Sequence, residues 1–214
     1  MEHLVPRILL GLKKPFSAGA RKKRMRMFID TMGIAGGERI VDLGGTPEFW
    51  LDCPHSLDIT IINLPGFNDP DPQPTHHNLT LLEADARDVD MFEDGEFDIA
   101  FSNSVIEHVG DGNRQAEMAR ENARLGKGYW VQTPSIRFPI EAHNHMPFWW
   151  FWPKWLRKNT LRRWHRRFPD WAEMIEETRV ILREDFEMMF PDGEIIVERK
   201  FGFTKSYIAH RSPA

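Results

Sequence analysis

RIVDLGG, residues 39–45, decides how the chain is read. Ile40, Val41 and Leu43 make a short apolar run rich in β-branched residues, and Gly44–Gly45 end it in a turn. Four more runs of this kind follow: SLDITIINL (56–64), NLTLLEAD (78–85), FDIAFSN (97–103) and GYWVQTP (128–134). Met25, Phe28, Ile29 and Met32 recur at helical spacing, predicting a helix over 17–33 that stops at Gly33 and Gly36–Gly37. Further helices are expected over about 105–125 and about 170–189. PGFNDPDPQPTHH (65–77) is too broken by proline for regular structure. EIIVERK (194–200) and FTKSYIAHR (203–211), joined through Phe201–Gly202, predict an antiparallel hairpin. Strands alternating with helices imply an α/β fold, a Rossmann-like doubly wound sheet with helices on both faces.

Composition narrows the class. The chain has 214 residues, 41% hydrophobic and 28% charged, with a formal net charge of −4. That suits one full-sized domain and excludes global disorder. Cys53 is the only cysteine, so no intrachain disulfide is available and a reducing, cytoplasmic setting is favoured. No apolar run reaches the roughly 18 residues of a membrane-spanning helix, and MEHLVPRILLGLKKPF lacks the pattern of a secretory signal. The charge is uneven. Residues 13–26 carry seven basic side chains and no acid, and residues 154–167 carry seven more. Six of the eight tryptophans fall within 149–171. The stretch 13–26 reads as a solvated helix face.

Ligands of open parallel sheets bind beyond the carboxyl ends of the strands. Strand one ends Asp42–Leu43–Gly44–Gly45–Thr46, where glycines let backbone approach a ligand. Strand two ends at Asn63–Leu64, at the distance from Asp42 where nucleotide-binding folds hold ribose hydroxyls. Strand three ends Ala84–Asp85–Ala86–Arg87, offering a carboxylate and backbone N–H groups to a heterocycle. Strand four ends Ser102–Asn103–Ser104, with Glu107–His108 one turn further on. Together these point to a nucleoside-type cofactor. The G-x-x-x-x-G-K-[ST] loop of triphosphatases is absent, and Glu48 stands where a dinucleotide's pyrophosphate would sit. A cationic cofactor with ribose and adenine but no phosphate, S-adenosylmethionine, suits this pocket better.

VDLGG (41–45), Asn63, EADARDV (83–89), FDIAFSNSVIEHV (97–109) and GYWVQTPSIRFPIE (128–141) resemble the class I S-adenosylmethionine-dependent methyltransferases, particularly the ubiquinone/menaquinone-type small-molecule group. The resemblance spans about 38–141. It implies seven strands in the order 3-2-1-4-5-7-6, the last antiparallel. It places Asp42 and Gly44 along the methionine part of S-adenosylmethionine, with Gly45 and Thr46 also expected to bind the cofactor. Asn63 falls at its ribose and Asp85, with Ala86, at its adenine, and the adjoining Leu64 and Arg87 are also expected to bind the cofactor. Ser102 and Asn103 face the sulfonium and the acceptor. Thr46 and Glu48 replace later glycines of the family motif, and Asn63 replaces its usual acid, offering one carbonyl acceptor.

Methyl transfer needs alignment above all, and a base only where the acceptor must lose a proton. Candidate catalytic residues are His108, Glu141, His143 and His145. His108 also reads as a packing residue beside the cofactor, and Glu141-x-His143-x-His145 as loop hydrogen bonding. That spacing lacks a clear third ligand, so no metal site is assigned. Residues 146–168 read as a lid over a hydrophobic acceptor that meets an anionic head group or membrane surface, as a nucleic-acid surface, or as a helix packing its aromatics on the core. The expected organisation is one domain over 1–214. An N-terminal basic helix (1–37) is followed by a cofactor-binding core (38–134), an acceptor-side insertion or lid (135–170) and a final helix and hairpin (171–214). The expected activity is methyl transfer to an O or N atom of a small-molecule or lipid-like acceptor, with peripheral contact to anionic membrane and nucleic acid disfavoured as partner. A non-catalytic cofactor-binding or interaction protein, and an RNA methyltransferase, are the alternatives. The sequence assigns no oligomeric state.

Overall fold

Strands covered on both faces bury nearly every residue, and four strands here do so. β1 (Arg39–Leu43), β2 (Asp58–Asn63), β4 (Phe97–Asn103) and β5 (Gly126–Pro134) are buried along most of their length. The computed structural model describes residues 14–213, so Lys13 and the N-terminal stretch before it lie outside the described residues. With β3 (Asn78–Glu83), β6 (Glu194–Lys200) and β7 (Phe203–Arg211) these strands form one seven-stranded sheet, ordered β3-β2-β1-β4-β5-β7-β6. β1 through β5 pair in parallel, while β7 runs antiparallel to both β5 and β6. This is the expected order. Edge strand β3 is the most exposed of the parallel set.

Side chains alternate across the sheet with the strand period of two and so feed two cores. On one face Ile40, Ile59, Ile61, Ile99, Phe101, Trp130 and Ile208 meet α1 (Lys14–Met32) through Met25, Phe28 and Met32. On the other, Val41, Leu43, Ala100, Tyr129, Val131, Tyr207 and Ala209 pack against α3 (Gly112–Leu125) and α6 (Arg183–Met189). A short helix α2 (Pro47–Trp50), to which the sequence reading gave no element, delivers Phe49 and Trp50 to the first core.

Three expectations differ in detail. The helix expected over 105–125 is divided into a 3-10 turn at Ile106–His108 and α3. Asp111 caps α3, accepting from the backbone N–H groups of Asn113 and Arg114. The helix expected over 170–189 is α5 (Pro169–Glu177) and α6, with a break between them. There the Arg179 N–H donates to Glu107 O at 2.7 Å and its carbonyl accepts from Gln115 Nε2 at 2.8 Å. Those groups cannot also close helical turns. Lastly, the basic stretch is not uniformly solvated: Arg24 is buried, because carbonyl and carboxylate oxygens from three strands converge on its guanidinium.

Between β5 and α5 the chain leaves the sheet and forms a 3-10 turn (Trp149–Phe151) and α4 (Lys154–His165). Trp149, buried, stacks on Trp164 at 5.3 Å, and Trp164 lies 4.8 Å from Trp171 of α5. This ladder holds α4 to α5, while no residue of α4 itself is buried. Among the described residues no helix is long and apolar enough to cross a membrane.

Phe28 is fully buried, and its ring meets Trp50, Phe101 and Trp130 edge-on at 5.2–5.8 Å. Phe28→Ala is expected to destabilise the fold by about 3–5 kcal/mol, read as a lowered urea midpoint.

Candidate functional site

The turn after β1 is built by what its glycines leave out. Gly44 has φ +80°, and a Cβ there would lie 2.5 Å from Val105 Cγ1. A Cβ on Gly45 would lie 1.8 Å from Asp42 Oδ2. Asp42 is fully buried and accepts a hydrogen bond from Trp50 Nε1 at 2.8 Å, while its Oδ1 has no partner among the described residues. Burial pushes its pKa up to about 7, against the lowering effect of the Trp50 bond. Its carboxyl is turned to Trp50, and neither Asp42, Gly45 nor Thr46, the residue that precedes α2, lines either of the two cavities beyond the strand ends.

Beyond the carboxyl ends of β1, β2, β3 and β4 lies a cavity of about 410 Å³. Gly44, Asn63, Leu64, Asp85, Ala86 and Arg87 of the expected set form its wall, together with His108. Asn63 donates through Nδ2 to Gly45 O and to Asn68 Oδ1, and neither bond uses its carbonyl oxygen. Arg87 Nε donates to Asp85 Oδ1 at 2.9 Å, and that bond holds the Asp85 carboxyl below the usual range. The sequence reading passed over Phe67, Val105, Val109 and Arg114, which also line this space. Phe67 comes from the proline-rich loop and is 75% exposed; an aromatic amid turn residues was the available signal.

A second cavity, of about 850 Å³, adjoins the first at Ser104, whose backbone is left-handed at φ +60°. Phe138, Pro139, Ile140, Phe201 and Phe203 give it apolar walls, and Arg21, Arg24, Lys200 and Lys205 bring cations to it. Arg24 donates to Asn103 Oδ1 at 2.7 Å, Gln132 Oε1 at 3.1 Å and Glu198 Oε2 at 2.8 Å. Burial alone would raise the Glu198 carboxyl, yet Arg24, with Ser206 and Lys205, holds it at about 2. Asn103 is thus engaged by Arg24, and Ser102, buried, donates to Leu43 O at 3.0 Å. Neither side chain lines either of these two cavities. His145, at φ +58°, and Glu141 are on the wall of this second cavity.

The four candidate catalytic residues separate into roles. His143 Nε2 lies 2.9 Å from His108 Nε2, and its Nδ1 is 2.8 Å from Glu141 Oε1. Glu141 Oε2 accepts from the backbone N–H groups of His143 and Asn144, closing the 141–146 turn. Burial lowers the His108 pKa to about 4, with the neighbouring His143 acting in the same direction. Partial burial would lower the His143 pKa, but Glu141 and Glu107 more than offset this and raise it. Glu107, adjacent and fully buried, was noted in the sequence only as His108's neighbour. Burial pushes it up to about 7.

Residues 63–128, roughly a third of the chain, match the family described as a methyltransferase domain. No curated protein matches. Solved structures share the fold. One, from Methanococcus maripaludis and provisionally described as an S-adenosyl-L-methionine-dependent methyltransferase, is 16% identical. The match covers 96% of this chain and 91% of that one, with a TM-score of 0.52. Another is geranyl diphosphate C-methyltransferase from Streptomyces coelicolor, 10% identical over 90% of this chain and 76% of that one, TM-score 0.54. A third, described as a possible exported protein from Bordetella parapertussis, is 14% identical over 91% and 68%, TM-score 0.55.

The buried Asp42 makes stability depend on pH. A carboxyl with a folded pKa of about 7 keeps its proton after the unfolded chain has lost it, so its contribution falls as pH rises from about 4 to about 7. Relative to Asp42→Asn, the wild type is expected to lose stability across that window and to level off above it, measured as urea midpoints from pH 4.5 to 8.

Proposed function

We propose that this chain, a class I S-adenosylmethionine-dependent methyltransferase, transfers the methyl group to an oxygen or nitrogen of a small-molecule or lipid-like acceptor that carries an anionic group. The observation that carries this reading is the second cavity: aromatic and proline walls, a basic rim, and a shared border with the first cavity at Ser104.

The residues of the first cavity fit S-adenosylmethionine. Gly44 brings bare backbone to its wall, the Asn63 carbonyl oxygen is an acceptor for a hydroxyl, and the Asp85–Ala86 turn suits a heterocycle edge. When bound, the cofactor supplies a methyl carbon activated by its sulfonium. The protein's own contribution is alignment of donor and acceptor across the Ser104 border, and exclusion of water by Phe67 on one side and Phe201 and Phe203 on the other. A hydroxyl or amine acceptor would lose a proton as its bond to the methyl carbon forms and the donor's carbon–sulfur bond breaks. His145 is the imidazole on the second cavity's wall and is assigned to receive it, while Glu141 is engaged in holding its turn. Arg24 and Lys205, both beside Glu198, with Arg21 and Lys200, attract the acceptor's anionic end.

Calorimetric titration with S-adenosylmethionine and S-adenosylhomocysteine should show binding that Asn63→Ala weakens roughly five- to tenfold, the worth of one hydrogen bond. Methyl transfer to paired amphiphilic alcohols and amines, with and without a carboxylate or phosphate, should favour the anionic members. Lys205→Met should raise their KM several-fold with little change in kcat. Transfer confined to the neutral members would overturn the acceptor assignment.

The same reading extends to peripheral contact with an anionic membrane. Trp155 is 66% exposed on α4, beside Lys154, Arg157 and Lys158, and Phe148 and Phe151 are exposed just before it. Sedimentation with phosphatidylglycerol-containing vesicles should exceed that with phosphatidylcholine alone and fall in Trp155→Ser; equal sedimentation with both removes the membrane contact. The single cysteine, Cys53, buried, suits a reducing cytoplasmic location.

A further inference from the structure

Three side chains from two distant parts of the chain converge between the two cavities. Glu107 and His108 come from the 3-10 turn that follows β4, and His143 from the turn that Glu141 closes after β5. His108 Nε2 and His143 Nε2 are 2.9 Å apart, His143 Nε2 is 3.8 Å from Glu107 Oε1, and each of the three residues offers a ligand atom within 4.8 Å of the other two. We propose that Glu107 Oε1, His108 Nε2 and His143 Nε2 form a binding site for a divalent transition-metal ion of the zinc class.

The surrounding hydrogen bonds point three acceptors at one spot. Glu141 Oε1 accepts from His143 Nδ1, so in the neutral ring Nε2 carries the lone pair and faces inward. Thr178 Oγ1 donates to Met174 O at 2.8 Å, so toward His108 Nδ1, at 3.4 Å, it acts as acceptor and His108 Nε2 also faces inward as a lone pair. Thr133 Oγ1 donates to Glu107 Oε2, and Glu107 Oε1, fully buried, has no hydrogen-bond partner among the described residues. Two imidazole lone pairs and a buried carboxylate oxygen repel one another unless a proton or a metal ion sits among them. A doubly charged ion balances Glu107 and Glu141 together.

The donor set selects the metal. Two imidazoles with one carboxylate suit zinc rather than magnesium or calcium, which prefer all-oxygen shells. Tetrahedral zinc with ligand bonds of about 2.0–2.2 Å needs donor separations of roughly 3.2–3.5 Å. The 2.9 Å and 3.8 Å separations bracket that range, so these two pairs need shifts of only a few tenths of an ångström. Glu141 behind His143 is the carboxylate–histidine pairing that orients zinc ligands. Three protein ligands leave one tetrahedral position open. The ion would pin the 141–146 turn, and with it Glu141 and His145 on the second cavity's wall, to the end of β4.

The test uses the full chain, stripped with a chelator and titrated with Zn²⁺ in competition with a chromophoric chelator, with Co²⁺ as a spectroscopic probe. One ion per chain is expected, with visible cobalt bands of low-symmetry, near-tetrahedral coordination. Glu107→Gln and His143→Ala should each weaken zinc binding at least about 100-fold. Glu141→Gln, which leaves all three ligands in place, should weaken it roughly 10- to 100-fold. His165→Ala, remote from the cluster, should bind as the wild type does. Circular dichroism shows whether each variant is folded, and S-adenosylhomocysteine binding is followed separately, so failure of the metal site is distinguishable from failure of the cofactor assignment. Hydrogen exchange across residues 139–147 should slow when zinc is added. Zinc binding no tighter than millimolar in the wild type, or equally tight in Glu107→Gln and His143→Ala, would overturn the proposal.

Discussion

The buried guanidinium of Arg24 is the contact on which the arrangement of the site depends. It reaches from α1 to Asn103 at the end of β4, to Gln132 on β5 and to Glu198 on β6. A charge this buried is tolerable only with its hydrogen bonds filled, and here a carboxylate held strongly acidic supplies the counter-charge. The consequence is geometric. One helix is tied to three strands, two of them on opposite sides of the antiparallel β7, and the strand ends are held where the two cavities meet. Ser104, next after Asn103, then takes up a left-handed backbone and donates to the Gln132 Oε1 that Arg24 also contacts.

A second constraint acts at the turn after β1. Asp42 is drawn into the core by Trp50, and Gly45 must lack a side chain because Asp42 fills the space. This explains how the turn works despite the missing glycines at positions 46 and 48. Thr46 and Pro47 begin a short helix whose purpose, structurally, is to bring Trp50 back over Asp42. The acid that opens this turn is thereby a packing element, and the polar duties on the first cavity's wall pass to Asn63, Asp85 and Arg87.

Left-handed backbone at non-glycine residues gathers around the second cavity. Ser104, His145 and Phe201 all have φ between +52° and +60° and all line it. Such conformations cost energy and persist where the surroundings impose them. The 141–146 turn shows how: Glu141 takes two backbone N–H groups and an imidazole at once, which fixes both the turn and the direction of His143.

The linear chain was sufficient for the sheet. Strands at 97–103, 194–200 and 203–211 have the bounds read from apolar runs and turn glycines, because local hydrophobic period and turn chemistry are local properties. The carboxyl-end wall residues Gly44, Asn63, Leu64, Asp85, Ala86 and Arg87 were legible for the same reason, since strand ends in a parallel sheet converge. Only the tertiary structure decided the rest. The helix after residue 177 breaks because Glu107 O and Gln115 claim the backbone of Arg179. Arg24 leaves solvent because β4, β5 and β6 bring oxygens to it, and Glu107 and His108 meet His143 only because the ends of β4 and β5 lie side by side. Hydrogen bonds and charge pairs across tens of residues leave no periodic trace in sequence, and those contacts place the chemistry of this protein.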